Sequence, residues 1–441
     1  MSANRHNRRS FLKTTAAVAG AGAMTPYFFS GEKPLAAEFV AKNDRPNVGQ
    51  IGCGGQGNGD TNRAKRFGEI VAVCDVDAHR AAEAKAKQGG GKADVFDDYR
   101  KLLDRKDIDV VVIGTTDHWH TRIAIAALRA GKDVYCEKPL TLTIDEGKQI
   151  CKVVKETGRV FQVGTQQRSQ DGSRFLTAIA LAQHGRLGNI KTVSCSIGGA
   201  PTSGPLKTET PPDYLNWDMW LGQAPLVDYI PRRCHYEFRW WYEYSGGKMT
   251  DWGAHHVDIA TWLIGADKTG PISVEGTATH PVPFDKGYPT VDNEYNTATK
   301  FKITCKYASG VEVIIRDDME NGLLVEGDKG RIFVSRGALK GKPVEELKEN
   351  PLPEDAITKL YKGKKPGDHM GNFFECVKTR EQPISDVFTH HRALTTCHLA
   401  NIAIRLGRAL KWNPDTEQIE GDDEANAWQK REQRKGYEIE A

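Results

Sequence analysis

The fold of this chain is decided by the stretch Asn47-Val48-Gly49-Gln50-Ile51-Gly52-Cys53-Gly54-Gly55-Gln56-Gly57. Its first five residues predict a short strand, its glycines have the spacing G-x-G-x-x-G, and a helix is predicted to about residue 67. The first glycine permits a tight turn, the second lets the backbone approach a pyrophosphate, and the third lets helix and strand pack closely. The stretch therefore predicts a dinucleotide-binding turn between a strand and a helix.

The nearby Asp75 supports this interpretation. It closes a second predicted strand, residues 69–74, and lies 18 residues after Gly57. A carboxylate there accepts hydrogen bonds from an adenosine ribose and repels a 2′-phosphate, which favours NAD over NADP. The alternatives are that Asp75 only caps the next helix, or that Arg80 accommodates the phosphate of NADP.

Strand and helix patterns alternate up to about residue 163. Residues 108–113 form a nearly continuous apolar run, as a parallel strand covered on both faces requires, and residues 133–136 predict the next strand. The first domain is therefore predicted to be an α/β, doubly wound Rossmann domain over residues 44–165.

Two loops begin at the carboxyl ends of predicted strands, where ligands bind in such domains. One is residues 114–120, and the other is Cys136-Glu137-Lys138-Pro139-Leu140-Thr141. Pro139 keeps Lys138 extended, so that its ammonium can reach a reacting atom. The alternative is a surface lysine paired with Glu137. The predicted cofactor contacts are Gly52, Gly54, Gly55, Gln56, Gly57, Asp75, Thr115, His120, Glu137 and Lys138.

The second half of the chain is rich in aromatic residues. Six of the nine tryptophans lie within residues 217–262. Flat aromatic faces can stack on sugars, and Arg232, Arg233 and Arg239 can hold hydroxyls or a carboxylate. Ordinary core packing is the alternative for each aromatic residue. The predicted substrate contacts are Arg168, Trp240, Trp241 and Asp258.

Residues 246–258 carry the strongest catalytic pattern in this half. On one continuous helix, Asp251, His255 and Asp258 would share a face. A carboxylate one turn before a histidine can fix the tautomer of the imidazole and make it a general base. A structural His–Asp pair is one alternative and a metal site another, but no further ligands cluster nearby, so we expect no metal.

The pattern becomes strand-like over residues 272–335, and helices are predicted over residues 369–379 and about 389–410. This order predicts a second, α+β domain over residues 166–412 with an open, largely antiparallel sheet. Residues 413–441 are predicted to be a polar C-terminal tail.

The first 37 residues look like a twin-arginine signal peptide. Arg8-Arg9 precedes Ser10-Phe11-Leu12-Lys13, and the apolar run that follows is too short and too mild to span a membrane. A disordered basic tail is the alternative. Without residues 1–37 the formal charge falls from +3 to −1, which gives no reason to expect nucleic acid as a partner. The predicted location is the periplasm or another exported compartment, reached through the twin-arginine translocase.

Nine cysteines without any Cys-x-x-Cys suggest neither a disulfide framework nor a zinc site. A protein exported in the folded state can leave the cytoplasm with its thiols reduced and its cofactor tightly bound.

The glycine turn, Asp75, residues 115–120 and above all Glu137-Lys138-Pro139 resemble the Gfo/Idh/MocA oxidoreductases. Asp251 and His255 fit the Asp-x-x-x-His of this family, whereas Thr116 stands where the family usually has proline. The resemblance implies a homo-oligomeric, exported, NAD-dependent enzyme that transfers hydride between a nicotinamide and a secondary hydroxyl of a sugar, glycoside or polyol. His255 would take the proton, Asp251 would orient His255, and Lys138 would polarise the oxygen.

Two other functions are compatible with the same fold. One branch of the family resembles NAD-dependent glycosidases, which oxidise a sugar transiently, eliminate the glycoside and reduce the product again. A sensor or sugar-binding protein without catalysis is the other possibility, against which Lys138 and His255 argue.

Overall fold

A parallel six-stranded sheet forms the first domain of the computed structural model, which describes residues 45–169 and 171–440. Its elements are β1 (Asn47–Ile51), α1 (Gly55–Ala64), β2 (Glu69–Cys74), α2 (Ala78–Lys87), β3 (Asp94–Phe96), α3 (Tyr99–Leu103), β4 (Val110–Ile113), α4 (Asp117–Arg129), β5 (Asp133–Cys136), α5 (Ile144–Thr157) and β6 (Phe161–Val163). The strand order is β3-β2-β1-β4-β5-β6. The predicted doubly wound Rossmann domain is confirmed.

The central strands of this sheet are buried on both faces. Every residue of β4 and β5 is buried, which explains their continuous apolar sequences. Strands β1 and β4 pair in parallel with Ile51 opposite Ile113. This register ends the two strands at the same level, so Gly52 and Gly114 meet at the carboxyl edge of the sheet.

A nine-stranded sheet organises the second domain. Its order is β15-β14-β13-β7-β12-β11-β8-β16-β17, and only the β7–β12 pair is parallel, which confirms the predicted largely antiparallel sheet. The strands are β7 (Ile190–Ser196), β8 (Ser273–Thr279), β11 (Lys300–Lys306), β12 (Glu312–Arg316), β13 (Gly322–Gly327), β14 (Arg331–Val334), β15 (Leu339–Lys340), β16 (Leu410–Asn413) and β17 (Gln418–Ile419), and β9 (Phe284–Asp285) pairs separately with β10 (Tyr288–Pro289).

Buried helices cover one face of the second sheet and position the site. Every residue of α9 is buried, and α9 packs against α13, which also packs against α5 of the first domain. The helices of this domain are α6 (Arg174–Gln183), α7 (Trp217–Leu221), α8 (Lys248–Asp251), α9 (Gly253–Leu263), α10 (Lys342–Glu345), α11 (Ala356–Leu360), α12 (His369–Thr379), α13 (Val387–Leu406) and α14 (Asp423–Ala427).

Residues 413–440 are polar but pack against both domains. Arg434 Nε donates to the carbonyl oxygen of Gly222 at 2.8 Å, and the Tyr437 hydroxyl donates to Asp218 at 2.6 Å. Arg122 of α4 donates to the carbonyl oxygen of Glu438 at 2.6 Å. These bonds hold the end of the described chain against α4 and α7.

Two global features bear on export. No helix among the described residues is long and apolar enough to cross a membrane. All nine cysteines lie in the described part of the chain, where they are buried free thiols. The predicted signal peptide, residues 1–37, lies outside the described residues.

Candidate active site

The glycine-rich turn brings β1, α1 and β4 into backbone contact. A Cβ on Gly57 would lie 2.2 Å from the carbonyl oxygen of Gly52, and Gly52 has φ +89°. Gly54 caps α1 without a side-chain hydrogen bond, and the first turn of α1 carries no acidic residue. The amide groups at the start of α1 are therefore available to an anion, which fits the pyrophosphate of a dinucleotide.

Replacing Gly57 with alanine is expected to weaken NAD binding and to lower the free energy of unfolding by about 1–3 kcal/mol, because backbone must shift to admit the methyl group. Calorimetric titration with NAD and urea unfolding measure the two effects. Gly59→Ala is the matched control in α1, since its Cβ would lie 3.9 Å from its nearest neighbour, the side chain of Arg63. Equal NAD binding by both variants would contradict the close-packing role of Gly57.

Asp75 lies at the end of β2 and is held by two backbone amides. Its carboxylate accepts hydrogen bonds from the nitrogen atoms of Cys53 at 2.7 Å and Asp77 at 3.0 Å. Burial raises the pKa of Asp75. The guanidinium of Arg80 lies 3.6 Å from the carboxylate of Asp77. The predicted ribose acceptor is thus fixed at the cleft, with a neighbouring guanidinium that already has a carboxylate partner.

The second domain supplies the opposite wall of a cleft of about 570 Å³. Ala78 N donates to the carbonyl oxygen of Tyr214 at 2.9 Å, and Asn216 N donates to that of Val76 at 3.0 Å. From there the chain runs along the cleft and contributes lining residues from α7 and from the 3₁₀ helix His235–Trp240. Segment 214–239 therefore covers the cleft that the Rossmann domain opens.

The loop after β4 and the loop after β5 are tied together by His120. Its Nδ1 lies 2.8 Å from the carbonyl oxygen of Pro139, and its Nε2 lies 3.3 Å from that of Thr115. Burial lowers the pKa of His120 to about 4. His120 therefore lies between the two predicted cofactor loops, and as a neutral imidazole it can donate to only one of the two carbonyl oxygens.

Asp117, at the start of α4, also lines the cleft. Its carboxylate accepts a hydrogen bond from the Ser245 hydroxyl at 2.5 Å, and burial raises its pKa to about 7. This carboxyl group was not among the predicted site residues.

Glu137 fixes the backbone on which Lys138 stands. Its buried carboxylate accepts hydrogen bonds from Gln56 Nε2 at 3.2 Å, Gln166 Nε2 at 2.6 Å and Lys138 N at 3.1 Å. Burial and the neighbouring Glu137 raise the pKa of Asp60 well above its usual value. Glu137 therefore connects the glycine-rich helix to the lysine loop.

Lys138 forms an ion pair with Asp251 across the domain boundary. The two side chains are about 15% exposed, and Lys138 Nζ lies 2.6 Å from Asp251 Oδ1 and 3.3 Å from the Asp251 carbonyl oxygen. Burial raises the pKa of Asp251, but the charges of Lys138 and Arg239 outweigh it and hold the pKa below its usual value. Lys138 therefore makes one of the contacts between the cofactor domain and the second domain.

The predicted hydrogen bond between Asp251 and His255 is not formed. Trp252, between α8 and α9, keeps helical backbone angles (φ −81°, ψ −29°), but the carboxylate of Asp251 binds Lys138 instead. His255 is 4% exposed, and its Nδ1 is buried without a partner in the described part of the chain. Burial, followed by the charge of Lys138, lowers the pKa of His255 well below 6.5.

Two of the predicted substrate contacts are engaged with each other. Arg168 and Asp258 form a bidentate pair at 2.6 and 2.8 Å, with side-chain exposures of 3% and 1%. Burial raises the pKa of Asp258, but the charge of Arg168 lowers it to about 2. This buried pair links the chain after β6 to α9, and contact of either residue with a substrate stays a prediction.

Breaking the Arg168–Asp258 pair is expected to cost about 3–5 kcal/mol of unfolding free energy, because it leaves a buried charge uncompensated. Urea unfolding of Arg168→Gln at pH 7 measures this loss. The matched control is Arg316→Gln, whose partner Asp318 has a side chain 58% exposed, and for which we expect less than about 1 kcal/mol. A loss no larger than that of the control would contradict a structural role for the pair.

The two predicted aromatic contacts are also structural. Trp240 is 5% exposed and Trp241 is fully buried. Trp241 Nε1 donates to the carbonyl oxygen of Arg232 at 3.0 Å, and the guanidinium of Arg233 lies 4.2 Å from the Trp241 ring centroid. Both tryptophans belong to an aromatic core with Tyr244 and Tyr295. Aromatic residue types alone therefore do not distinguish a packed aromatic core from an exposed surface on which a sugar stacks.

The guanidinium of Arg336, beside Trp252, was not among the predicted site residues. Arg336 lies 4.8 Å from the ring centroid of Trp252, and its Nε donates to Gln167 at 3.2 Å when the Gln167 amide is oriented to satisfy both of its contacts. The charge of Arg336 contributes to the low pKa of His255. Arg336 lies 81 positions after His255, and nothing in its local sequence marks it.

Family models match three parts of the chain. The NAD-binding Rossmann fold of an oxidoreductase family matches residues 47–165, and the C-terminal alpha/beta domain of the same family matches residues 202–439. A twin-arginine translocation pathway signal matches residues 5–25, which confirms the predicted export signal.

Individual proteins agree with these matches. An inositol 2-dehydrogenase of Salmonella typhimurium is 37% identical over 134 residues, 28% of this chain and 40% of that protein. An alpha-N-acetylgalactosaminidase of Shewanella oneidensis is 34% identical over 175 residues, 34% of this chain and 38% of that protein. The alignments thus span about two fifths of these relatives.

A solved structure extends the similarity of fold to most of the chain. The WlbA dehydrogenase of Bordetella pertussis, crystallised with NADH and UDP-GlcNAcA, superimposes with a TM-score of 0.60. The match covers 84% of this chain and 99% of that structure at 19% identity. The sheet order, the glycine-rich turn and the two matching domain models together lead to one conclusion. The chain belongs to the Gfo/Idh/MocA family of oxidoreductases.

Proposed function

We propose that this protein is an exported, NAD-dependent oxidoreductase that transfers hydride between a nicotinamide and a secondary hydroxyl of a sugar, glycoside or polyol. One observation carries the proposal: the Lys138 ammonium, paired at 2.6 Å with Asp251, lies in the cleft that also contains the glycine-rich turn and Asp75. Neutral His255 stands close enough for the charge of Lys138 to lower its pKa. Binding, polarising and proton-accepting groups therefore occur together.

The residues of the cleft fit NAD. The uncapped start of α1 suits the pyrophosphate, and the Asp75 carboxylate suits the ribose hydroxyls. NAD is favoured over NADP because the carboxylate would repel a 2′-phosphate and because Arg80 already faces Asp77. When bound, the nicotinamide supplies the acceptor or donor of the hydride.

The protein's own groups handle the proton. In the oxidation direction, neutral His255 accepts the proton of the substrate hydroxyl as the C–H bond is broken and the C=O bond forms. Lys138 donates a hydrogen bond to the same oxygen and stabilises its developing negative charge. Asp251 orients the ammonium of Lys138, and Glu137 fixes the Lys138 backbone. This assignment replaces the predicted role of Asp251 as a partner of His255.

A retained cofactor also follows from the covered cleft. Backbone hydrogen bonds join segment 214–216 to residues 76–78, and the residues after it line the cleft. We therefore propose that NAD stays bound through successive turnovers.

Glycoside cleavage by transient oxidation is the second candidate function. It needs no exchange of cofactor, so the covered cleft suits it. The similarity to an alpha-N-acetylgalactosaminidase favours it as well. Release of an aglycone without net NADH would select this function over net oxidation.

The proposed function can be tested on the purified, folded protein. Denaturation followed by mass spectrometry identifies the retained nucleotide, and we expect NAD. Mixing the NAD-loaded protein with a panel of sugars, glycosides and polyols is expected to raise the absorbance at the wavelength of the reduced nicotinamide or to release an aglycone. A protein that holds NAD but is inert across the panel would contradict catalysis and support the sensor alternative.

A further inference from the structure

Three cations without carboxylate partners in the described part of the chain lie near the site: Arg239 and Lys248 act on Asp251, and Arg336 acts on His255. Arg239 lies at the end of the cleft wall, Lys248 at the start of α8, and Arg336 in the loop after β14. Within residues 45–169 and 171–440, none of them forms an ion pair. The site thus carries more positive charge than its own carboxylates neutralise.

Two of these cations, Arg239 and Lys248, are half-buried, so the lack of a carboxylate partner leaves their charges less well stabilised. The guanidinium of Arg239 lies 4.0 Å from the ring centroid of Tyr236, and Lys248 Nζ lies 5.6 Å from that of Trp240. Burial lowers the pKa of Lys248; the charge of Asp251 raises it, and those of Arg239 and Lys138 lower it further. Desolvated cations of this kind are stabilised when an anion joins them.

The nearby acidic groups do not balance the cations. Asp251 is already paired with Lys138. Asp117 is the other carboxyl group beside Lys138 and Arg239, and its pKa of about 7 leaves it only partly charged at neutral pH. A bound oxidised nicotinamide would add a further positive charge to the cleft.

The pyrophosphate of the cofactor does not account for the three cations. It has its own site at the uncapped start of α1. Of the three cations, only Arg239 lines the cofactor cleft, whereas Lys248 and Arg336 lie on the side of α8 and Trp252. Their charges act instead on the catalytic groups: Lys248 on Asp251, and Arg336 on His255.

We propose that the substrate is an acidic sugar, whose carboxylate or sulfate ester binds among Arg239, Lys248 and Arg336. This inference rests on the proposed function, since it assumes that the sugar binds beside Lys138. The planar guanidinium groups of Arg239 and Arg336 suit the oxygens of a carboxylate or sulfate, and Lys248 adds a point charge.

Binding to the NAD-loaded protein tests the inference independently of turnover. Isothermal titration calorimetry compares methyl β-D-glucuronide with methyl β-D-glucoside, and galactose 6-sulfate with galactose. We expect at least one acidic ligand to bind about tenfold or more tightly than its neutral counterpart. The pair that shows the difference distinguishes a carboxylate from a sulfate ester. Acetate and inorganic sulfate at equal ionic strength are the controls for non-specific anion binding.

Substitution of the cations tests whether they are the residues that bind the acidic group of the sugar. Lys248→Met and Arg336→Gln are expected to reduce the preference for the acidic ligand about tenfold, with the protein still folded and NAD retained. The matched controls, Lys268→Met and Arg331→Gln, change exposed residues outside the site and are expected to keep the preference.

Three outcomes would overturn the inference. The first is equal affinity for acidic and neutral ligands, even if the neutral sugar is oxidised and the proposed function therefore stands. The second is that the variants release NAD while the preference is unchanged, which would assign the cations to the cofactor. The third is that acetate or sulfate binds as tightly as the acidic sugar. Tighter binding of an acidic sugar without any oxidation supports the inference and counts against the proposed function alone.

Discussion

Lys138→Met is expected to lower turnover at least about a hundredfold while the protein retains its NAD. The ammonium is the group that can donate a hydrogen bond to the substrate oxygen, and methionine keeps the length of the side chain but removes the donor. The glycine-rich turn and Asp75, which fit the cofactor, do not depend on this ammonium. Steady-state turnover and the nucleotide content of the denatured variant measure the two effects separately.

The structure adds a second consequence of the same substitution. The carboxylate of Asp251 loses its partner at 2.6 Å, so its pKa is expected to rise towards the value that burial favours. Lys101→Met, which changes an exposed lysine paired with Asp97 on the Rossmann domain, is the control and should leave turnover unchanged. Full turnover by Lys138→Met would refute the polarising role.

His255→Asn is expected to lower turnover by about 10²–10⁴-fold, because the proton acceptor is removed. The pH dependence of turnover by the unmodified protein is an independent test of this role. The pKa of His255 is lowered well below 6.5, so the imidazole stays neutral, and able to accept a proton, until the pH falls through that lowered value. The acid limb of the turnover profile is therefore expected below pH 6.5, and the His255→Asn substitution should abolish this limb in the residual activity.

His256 provides the matched control for this prediction. It is the next residue on α9, and its Nε2 donates to Asn321 Oδ1 at 3.1 Å, away from the Lys138–Asp251 pair. We expect His256→Asn to keep turnover within a few-fold. An equal loss of turnover in both variants, or an acid limb that His255→Asn leaves unchanged, would show that His255 is not the proton acceptor.

The Rossmann domain could be predicted because its signals are local. The glycine spacing indicates a turn that only glycine allows, because a Cβ at Gly57 would overlap the carbonyl oxygen of Gly52. The position of Lys138 in the cleft also followed from a general rule, since parallel strands end at the same edge and β4 and β5 pair in register.

The contacts within the second domain could not be predicted in the same way. Helical spacing predicted a bond from Asp251 to His255, but Lys138, 113 positions before Asp251 in the sequence, binds the carboxylate instead. The contacts of Arg168 and Trp241 depend on the burial of their side chains, which cannot be read from the spacing of residues in the sequence. Arg336 reaches the site through a loop whose sequence carries no signal of its own.

The central claim is that a hydride moves between a substrate carbon and NAD held in this cleft, and isotope transfer tests it most directly. The NAD-loaded protein is mixed with glycosides deuterated at every ring carbon, quenched with acid during the first turnover, and the released nucleotide is analysed by mass spectrometry. Both net oxidation and transient oxidation predict deuterium in the nicotinamide ring, and Lys138→Met should suppress it. Conversion of the glycoside with no deuterium in the nucleotide would contradict the account.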